Sequence, residues 1–193
     1  MWSRPAATGT APLSACSVGY AWGAYNVDGD AVPDWFPEPA GWLLGVNGGV
    51  NFTLDNGIVL GVAGDIAWAD VTDTVTQLGL GSATATIDWM GSLSGRIGFD
   101  GGTFLPYLTA GLAVAHSSIE FTPLLGPGFA DDATHVGWTV GAGVEFTATE
   151  NLSVDLAYRY SDYGDADYTL GAAPPSSLGL TAHQVTVGLN WGF

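Results

Sequence analysis

The sequence predicts an all-β fold, a closed antiparallel up-and-down transmembrane β-barrel of about eight strands. Apolar residues recur at every second position in several runs, as in strands whose two faces meet different surroundings. Only 11% of the residues are charged, whereas a water-facing surface usually needs roughly a quarter or more. The charges within the alternating runs share the face that carries the small residues. We therefore expect a polar interior and an apolar exterior.

The clearest alternation covers residues 136–146 and 152–160. In the first run the even positions are apolar, and the odd positions are small or polar and include Glu145. The second run repeats this after a short polar link, with Asp155 and Arg159 on the small-residue face. Two such runs predict an antiparallel hairpin.

The remaining strands are predicted in order along the chain. They lie at about residues 17–25, 42–54, 58–68, 84–99, 108–117 and 184–193. Asp55-Asn56-Gly57 predicts a tight turn, because Asn-Gly accepts the positive φ angles of two-residue hairpins. In the strand at 84–99, alternation places Ile87 outward and Asp88 inward.

The connections alternate between short and long, which predicts how the barrel is oriented. Residues 1–13 are expected to form a flexible N-terminal arm, and 14–193 the barrel. Every long acidic loop falls at one end and every tight turn at the other, as in barrels with long loops outside the cell. The long loops are predicted at 26–40, 69–83, 118–133 and 162–180.

The N-terminal residues contain no apolar run, so we do not expect an intact signal peptide there. Residues 13–16 match a lipoprotein cleavage box at Cys16, although a small-residue start to the first strand is the favoured interpretation. Cys16 is the only cysteine, which excludes an intrachain disulfide.

The net charge of −16 comes from 19 acidic residues and three arginines. Such a chain has no basic surface for nucleic acid. Acidic loops crowded at one rim should repel each other unless cations or neighbours hold them. We expect no cofactor beyond divalent cations at these loops. The expected partners are outer-membrane lipid and lipopolysaccharide, with a homo-oligomer or a larger envelope assembly as a further expectation.

Outward-facing aromatic residues sort into two groups by height. Such belts are typical of the two interfaces between lipid and water. The group near the long loops comprises Trp42, Trp68, Trp89, Trp138 and Tyr160; the group near the short turns comprises Phe52, Phe99, Phe146 and Trp191.

The enclosed face carries charges that predict an internal ion-pair network. An eight-stranded barrel is just wide enough for side chains to fill. Filling by this network is the favoured interpretation, and a narrow gated pore is the alternative. The predicted network comprises Asp65, Asp88, Arg96, Glu145, Asp155 and Arg159.

Two further function classes are disfavoured. Three histidines fall near the long-loop end: His116, His135 and His183. Strand alternation directs only His135 inward, so the three side chains are not expected to converge on a metal ion or to form an acid–base cluster. No nucleophile motif stands out, so we do not expect an enzyme. A soluble ligand-binding barrel needs an apolar inside and a charged outside, the reverse of this pattern.

Several stretches resemble the outer membrane immunogenic proteins, small eight-stranded members of the porin superfamily related in fold to outer membrane protein A. The resemblance implies an outer-membrane location in a Gram-negative bacterium and a terminal Phe193 that the barrel-assembly machinery reads. It covers most of the chain from the second strand onward and is carried by VLGVAGDIAWADV (59–71), IDWMGSLSGRIGF (87–99), FLPYLTAGLAVA (104–115), HVGWTVGAGVEF (135–146), LSVDLAYRYSDYG (152–164) and VTVGLNWGF (185–193).

Overall fold

The structure is a computed structural model that describes residues 10–27, 30–31, 38–77, 81–125, 128–149, 151–168 and 176–192. Eight long strands form the wall, and a two-residue strand, β2 (Asp30–Ala31), pairs with the end of β1. The long strands are β1 (Thr10–Val27), β3 (Ala40–Thr53), β4 (Ile58–Gln77), β5 (Gly81–Phe99), β6 (Phe104–Pro123), β7 (Phe129–Thr147), β8 (Leu152–Tyr168) and β9 (Ser176–Gly192).

The eight long strands close into a ring. Each pairs antiparallel with its neighbours along the chain, and β1 also pairs with β9 from Leu13↔Gly192 to Val27↔Leu178. Closure gives both edges of the sheet a hydrogen-bonding partner, as a membrane-spanning sheet requires. The predicted fold is thus confirmed. Within the described residues, no helix is long and apolar enough to cross a membrane.

The predicted tight turn at Asp55-Asn56-Gly57 joins β3 to β4. Gly57 has a φ of 80°, a conformation that glycine adopts without a steric penalty. Leu54 N–H donates to the Ile58 carbonyl at 2.8 Å, and the Asn56 side chain accepts from Ile58 N–H at 3.1 Å. These bonds fix the register of the hairpin.

The strands reach further at the long-loop end than the sequence analysis predicted. At the opposite end, near the short turns, β1 begins at Thr10 opposite Phe52, so residues 10–13 belong to the wall and not to a flexible arm. Most residues assigned to the four long loops lie in strands instead, for example residues 69–77 at the end of β4 and residues 129–133 at the start of β7. Strands of 17–20 residues exceed the roughly 9–11 that cross a bilayer. The ring therefore extends beyond the aromatic residues near the long loops.

The polarity of the wall reverses in this extension. Below it, large apolar side chains such as Leu60 and Leu108 face outward. Within it, buried apolar side chains such as Val71, Ile87 and Leu180 face inward. Threonines face outward there, and Thr74 hydrogen-bonds Thr84 across β4 and β5 at 2.9 Å. Where the wall stands in water, it must bury its apolar face. Side chains still alternate between the two faces, but the apolar ones now face inward and the polar ones outward. This reversal explains why the predicted strands ended too early.

Two of the predicted side-chain orientations are wrong because β5 contains a β-bulge. Ile87 pairs with Ser117 on β6, while Trp89 pairs with the adjacent His116, so Asp88 is an extra residue without an opposite partner. The extra residue shifts the alternation by one position. Ile87 is fully buried inside the ring, and Asp88 is exposed.

Candidate functional site: the barrel lumen

The enclosed face of the ring carries two different layers. Near the short turns it is polar and holds the charged groups; above them it is apolar. Because side chains alternate between the two faces of a strand, each of the eight long strands places side chains in this space. The lumen is therefore the place where side chains from distant parts of the sequence meet.

Arg159 spans the lumen from β8 to Asp65 on β4. In the ring order these strands are four positions apart, on opposite walls. Nη1 and Nη2 of Arg159 contact the two carboxylate oxygens of Asp65 at 3.0 and 2.9 Å. Ser92 donates to the same carboxylate at 2.5 Å and accepts from Arg159 at 3.2 Å. This two-pronged geometry is the strongest form of the ion pair.

A second ion pair lies closer to the short turns. Arg96 Nη2 donates to Glu145 Oε2 at 2.8 Å, and Ser153 donates to Glu145 Oε1 at 2.5 Å. The Arg96 guanidinium also stacks over the Tyr107 ring at 3.6 Å. Tyr107 in turn directs its hydroxyl at both oxygens of Asp155, at 2.9 and 2.7 Å. Five of the six predicted lumen charges thus lie in one connected region.

Tyr107 is a member of this region that the sequence analysis did not name. Tyr107 directly precedes Leu108, which was predicted to face outward, so strand alternation alone predicts that Tyr107 faces the lumen. The ring fits because Gly143 lies directly opposite it on β7. A Cβ at Gly143 would overlap the Tyr107 ring. Glycine is therefore required here for space, not for its backbone freedom.

The apolar layer closes the lumen above the ion pairs. Gln184 on β9 reaches Met90 on the opposite wall, with Nε2 2.7 Å from the sulfur. Above these two residues the buried side chains form one cluster. Its members include the fully buried side chains of Tyr163, Ile87, Leu180 and Val71.

Asp88 is the predicted lumen charge that lies elsewhere. The bulge in β5 leaves it exposed, so it is not part of the network. Phe193, the predicted assembly signal, lies outside the described residues.

The outward aromatic residues occupy two levels. Near the short turns, Phe146 pairs with Phe104. Near the long loops, Trp68 pairs with Trp89, and Trp138 packs edge-on against Tyr160 with centroids 5.6 Å apart. The exposed members are Trp42, Trp68, Trp138, Phe52, Phe99, Phe146 and Trp191, whereas Trp89 and Tyr160 are half-buried against neighbouring rings.

The three histidines occupy separate environments. His135 is buried inside the ring, with Nδ1 3.4 Å from the Gly164 carbonyl. His116 stacks on Trp89, and His183 stacks on Trp22, both on the outward face. Across the described ranges, no group of three or more His, Cys, Asp or Glu residues is placed to hold a metal ion.

The chain is similar to known outer-membrane proteins along most of its length. The family model for the outer membrane protein beta-barrel domain matches residues 3–193. The chain is 35% identical over 159 residues to a 25 kDa outer-membrane immunogenic protein of Brucella abortus biovar 1, covering 81% of this chain and 68% of the relative. It is 36% identical over 137 residues to a 22 kDa outer membrane protein of Rhizobium leguminosarum bv. viciae, covering 70% and 59% of the two chains.

Two solved structures share the fold at low sequence identity. The crystal structure of Neisserial surface protein A aligns with a TM-score of 0.53 and 16% identity, covering 96% of this chain and 99% of that chain. The outer membrane protein OprG from Pseudomonas aeruginosa aligns with a TM-score of 0.50 and 13% identity, covering 96% of each chain.

Proposed function

Because this chain belongs to the outer membrane protein beta-barrel family, we propose that it is a structural and interaction barrel of the outer membrane whose lumen stays closed. The observation that carries the proposal is the order of layers inside the ring. A continuous water path would have to pass both the Arg159–Asp65 pair and the apolar cluster above it.

The two layers oppose ion passage for different physical reasons. Opening the lower layer requires a two-pronged ion pair to separate, which leaves two charges without their partner. The upper layer, with Ile87 and Leu180 fully buried, is mostly apolar, so it replaces little of the water that an ion would lose there.

A narrow channel for small solutes is the second candidate. The observation that favours it is a cavity of about 80 Å³ in the polar layer, bounded by Asp155, Arg159 and Asn190. On its upper side this cavity ends at Leu43, Ala67 and Gln184, next to the apolar layer. We therefore place it second.

The long-loop end supports the interaction part of the proposal. Carboxylates at Asp70, Glu120 and Asp132 are exposed there, while the arginines Arg96 and Arg159 are both enclosed. Divalent cations would then link this rim to lipopolysaccharide phosphates or to another envelope protein. Crosslinking in native membranes with and without a chelator tests this part; monomer under both conditions would contradict it.

No enzyme activity is part of the proposal. His135 is enclosed, whereas His116 and His183 face outward on different strands, so the three histidines do not form one acid–base cluster.

Solute uptake by proteoliposomes tests the closed lumen. We expect arabinose to enter vesicles that contain the protein no faster than it enters protein-free vesicles. A general porin serves as the positive control. Swelling that scales with the amount of this protein would favour the channel instead.

A further inference from the structure

A groove of about 380 Å³ opens on the outward face of the barrel between two exposed tryptophans. Trp42 on β3 and Trp68 on β4 are 67% and 58% exposed, and both belong to the aromatic group near the long loops. Its volume falls within the roughly 300–1,000 Å³ of small-molecule pockets. Aromatic residues of this kind mark the level where lipid head groups meet the hydrocarbon, so the groove lies at that level.

Strand pairing gives the two ends of the groove different chemistry. At the end near the long loops, Trp42 lies directly opposite Asp70. Toward the membrane centre, Leu44 lies directly opposite Trp68, and Val18 on β1 is paired with Leu44 on its other side. The groove therefore has a carboxylate at its upper end and aliphatic side chains at its lower end.

The carboxylate of Asp70 has no positive group of the protein beside it. The strands β4 and β5 lose register between Trp68 and Val71, so Asp70 has no paired residue on β5. Its exposed side chain makes no hydrogen bond or ion pair with any other described residue. The chain has no lysine, and the two arginines of the described ranges, Arg96 and Arg159, are enclosed in the lumen.

These features together favour a cation that carries an apolar chain. Indole rings attract ammonium groups over their faces, most strongly among the aromatic side chains. The carboxylate of Asp70 attracts the same positive charge and repels an anionic head group. A hydrated metal ion would make no use of the aliphatic row formed by Val18 and Leu44, whereas a lipid chain would lie along it.

We propose that the groove binds one membrane lipid with an ammonium head group, such as ethanolamine or choline. The ammonium lies between Trp42, Trp68 and Asp70, and the hydrocarbon chain runs past Leu44 and Val18. The inference rests on the interaction part of the proposed function, for which it names a lipid partner.

The test is native mass spectrometry of the refolded protein in an uncharged detergent, with a chelator present throughout. The added lipids are phosphatidylethanolamine, phosphatidylcholine and phosphatidylglycerol with identical chains. We expect one ethanolamine or choline lipid to bind about tenfold more tightly than the glycerol lipid. Because the chelator removes divalent bridges, this result and the crosslinking result of the proposed function can fail independently.

Two groove variants, Asp70→Asn and Trp42→Leu, should each reduce the preference to about twofold or less. Their matched controls are Glu120→Gln and Trp138→Leu, which change an exposed carboxylate and an exposed tryptophan near the same end of the barrel but outside the groove. Both controls should keep the preference of the wild type. Heat-modifiable migration on gels shows which variants have refolded, and either groove variant alone decides if the other does not.

Equal affinity of the wild-type protein for the three lipids would overturn the proposal. A preference that survives in the refolded groove variants would overturn it too, because the overall negative charge of the protein would then be its cause.

Discussion

Arg159 and Asp65 are 94 residues apart in sequence and lie on opposite walls of the ring, yet their side chains meet in a two-pronged ion pair at 2.9 and 3.0 Å. Because β4 and β8 share no backbone hydrogen bonds, this pair ties the two walls together directly.

Replacing Arg159 by Met should destabilise the barrel by about 3 kcal/mol or more, since Asp65 would remain buried without its partner. Urea unfolding in lipid vesicles measures the loss. The matched control is the double variant Arg159→Met/Asp65→Asn, which removes both charges and should recover part of the stability. If the single variant unfolds like the wild type, Arg159 is solvated and the pair is not structural.

Replacing Gly143 by Ala should destabilise the barrel by about 1–3 kcal/mol, because the new Cβ displaces the Tyr107 ring from between Arg96 and Asp155. Gly95→Ala is the control, since its Cβ would meet its nearest neighbour, the Ala110 carbonyl, at an ordinary 3.8 Å. Equal unfolding midpoints for the two variants would show that the Tyr107 ring is not confined by Gly143.

The bulge in β5 predicts opposite roles for two isoleucines on one strand. Ile87→Ala should cost about 2–5 kcal/mol, because Ile87 is fully buried in the apolar layer. Ile97→Ala removes the same atoms from the outward face, where Ile97 is 53% exposed, and lipid can fill the space, so a smaller loss is expected. The reverse order of the two losses in urea unfolding would contradict the bulge.

The loss of stability caused by an arginine on the outward face should depend on the depth of that position in the membrane. Val62 is 52% exposed and lies between Leu60 and Ile66 on the apolar outward face of β4, so Val62→Arg should cost about 2–4 kcal/mol of membrane-inserted stability. Leu125 is 89% exposed beyond the end of β6, and Leu125→Arg should change stability by no more than about 0.5 kcal/mol. A harmless Val62→Arg variant would place Val62 outside the hydrocarbon.

Much of this architecture could be predicted from the sequence because alternation is local. The parity of Asp65, Arg96, Glu145 and Arg159 follows from counting along single strands. Asp88 was misplaced because counting fails across a bulge, which leaves no mark in the pattern. The partner of Arg159 depends on how eight strands are staggered around the ring, so no single strand contains that information. The strand extensions were missed because the polarity reverses where the wall leaves the membrane.

Single-channel recording in planar bilayers tests the closed lumen most directly. With the wild-type protein we expect no stepwise conductance above that of the protein-free bilayer. A variant with both Ile87→Ala and Arg159→Met, which weakens the apolar layer and the cross-lumen pair together, should show brief openings if it refolds. Stable, reproducible conductance steps from the wild-type protein would contradict a closed barrel and establish a channel.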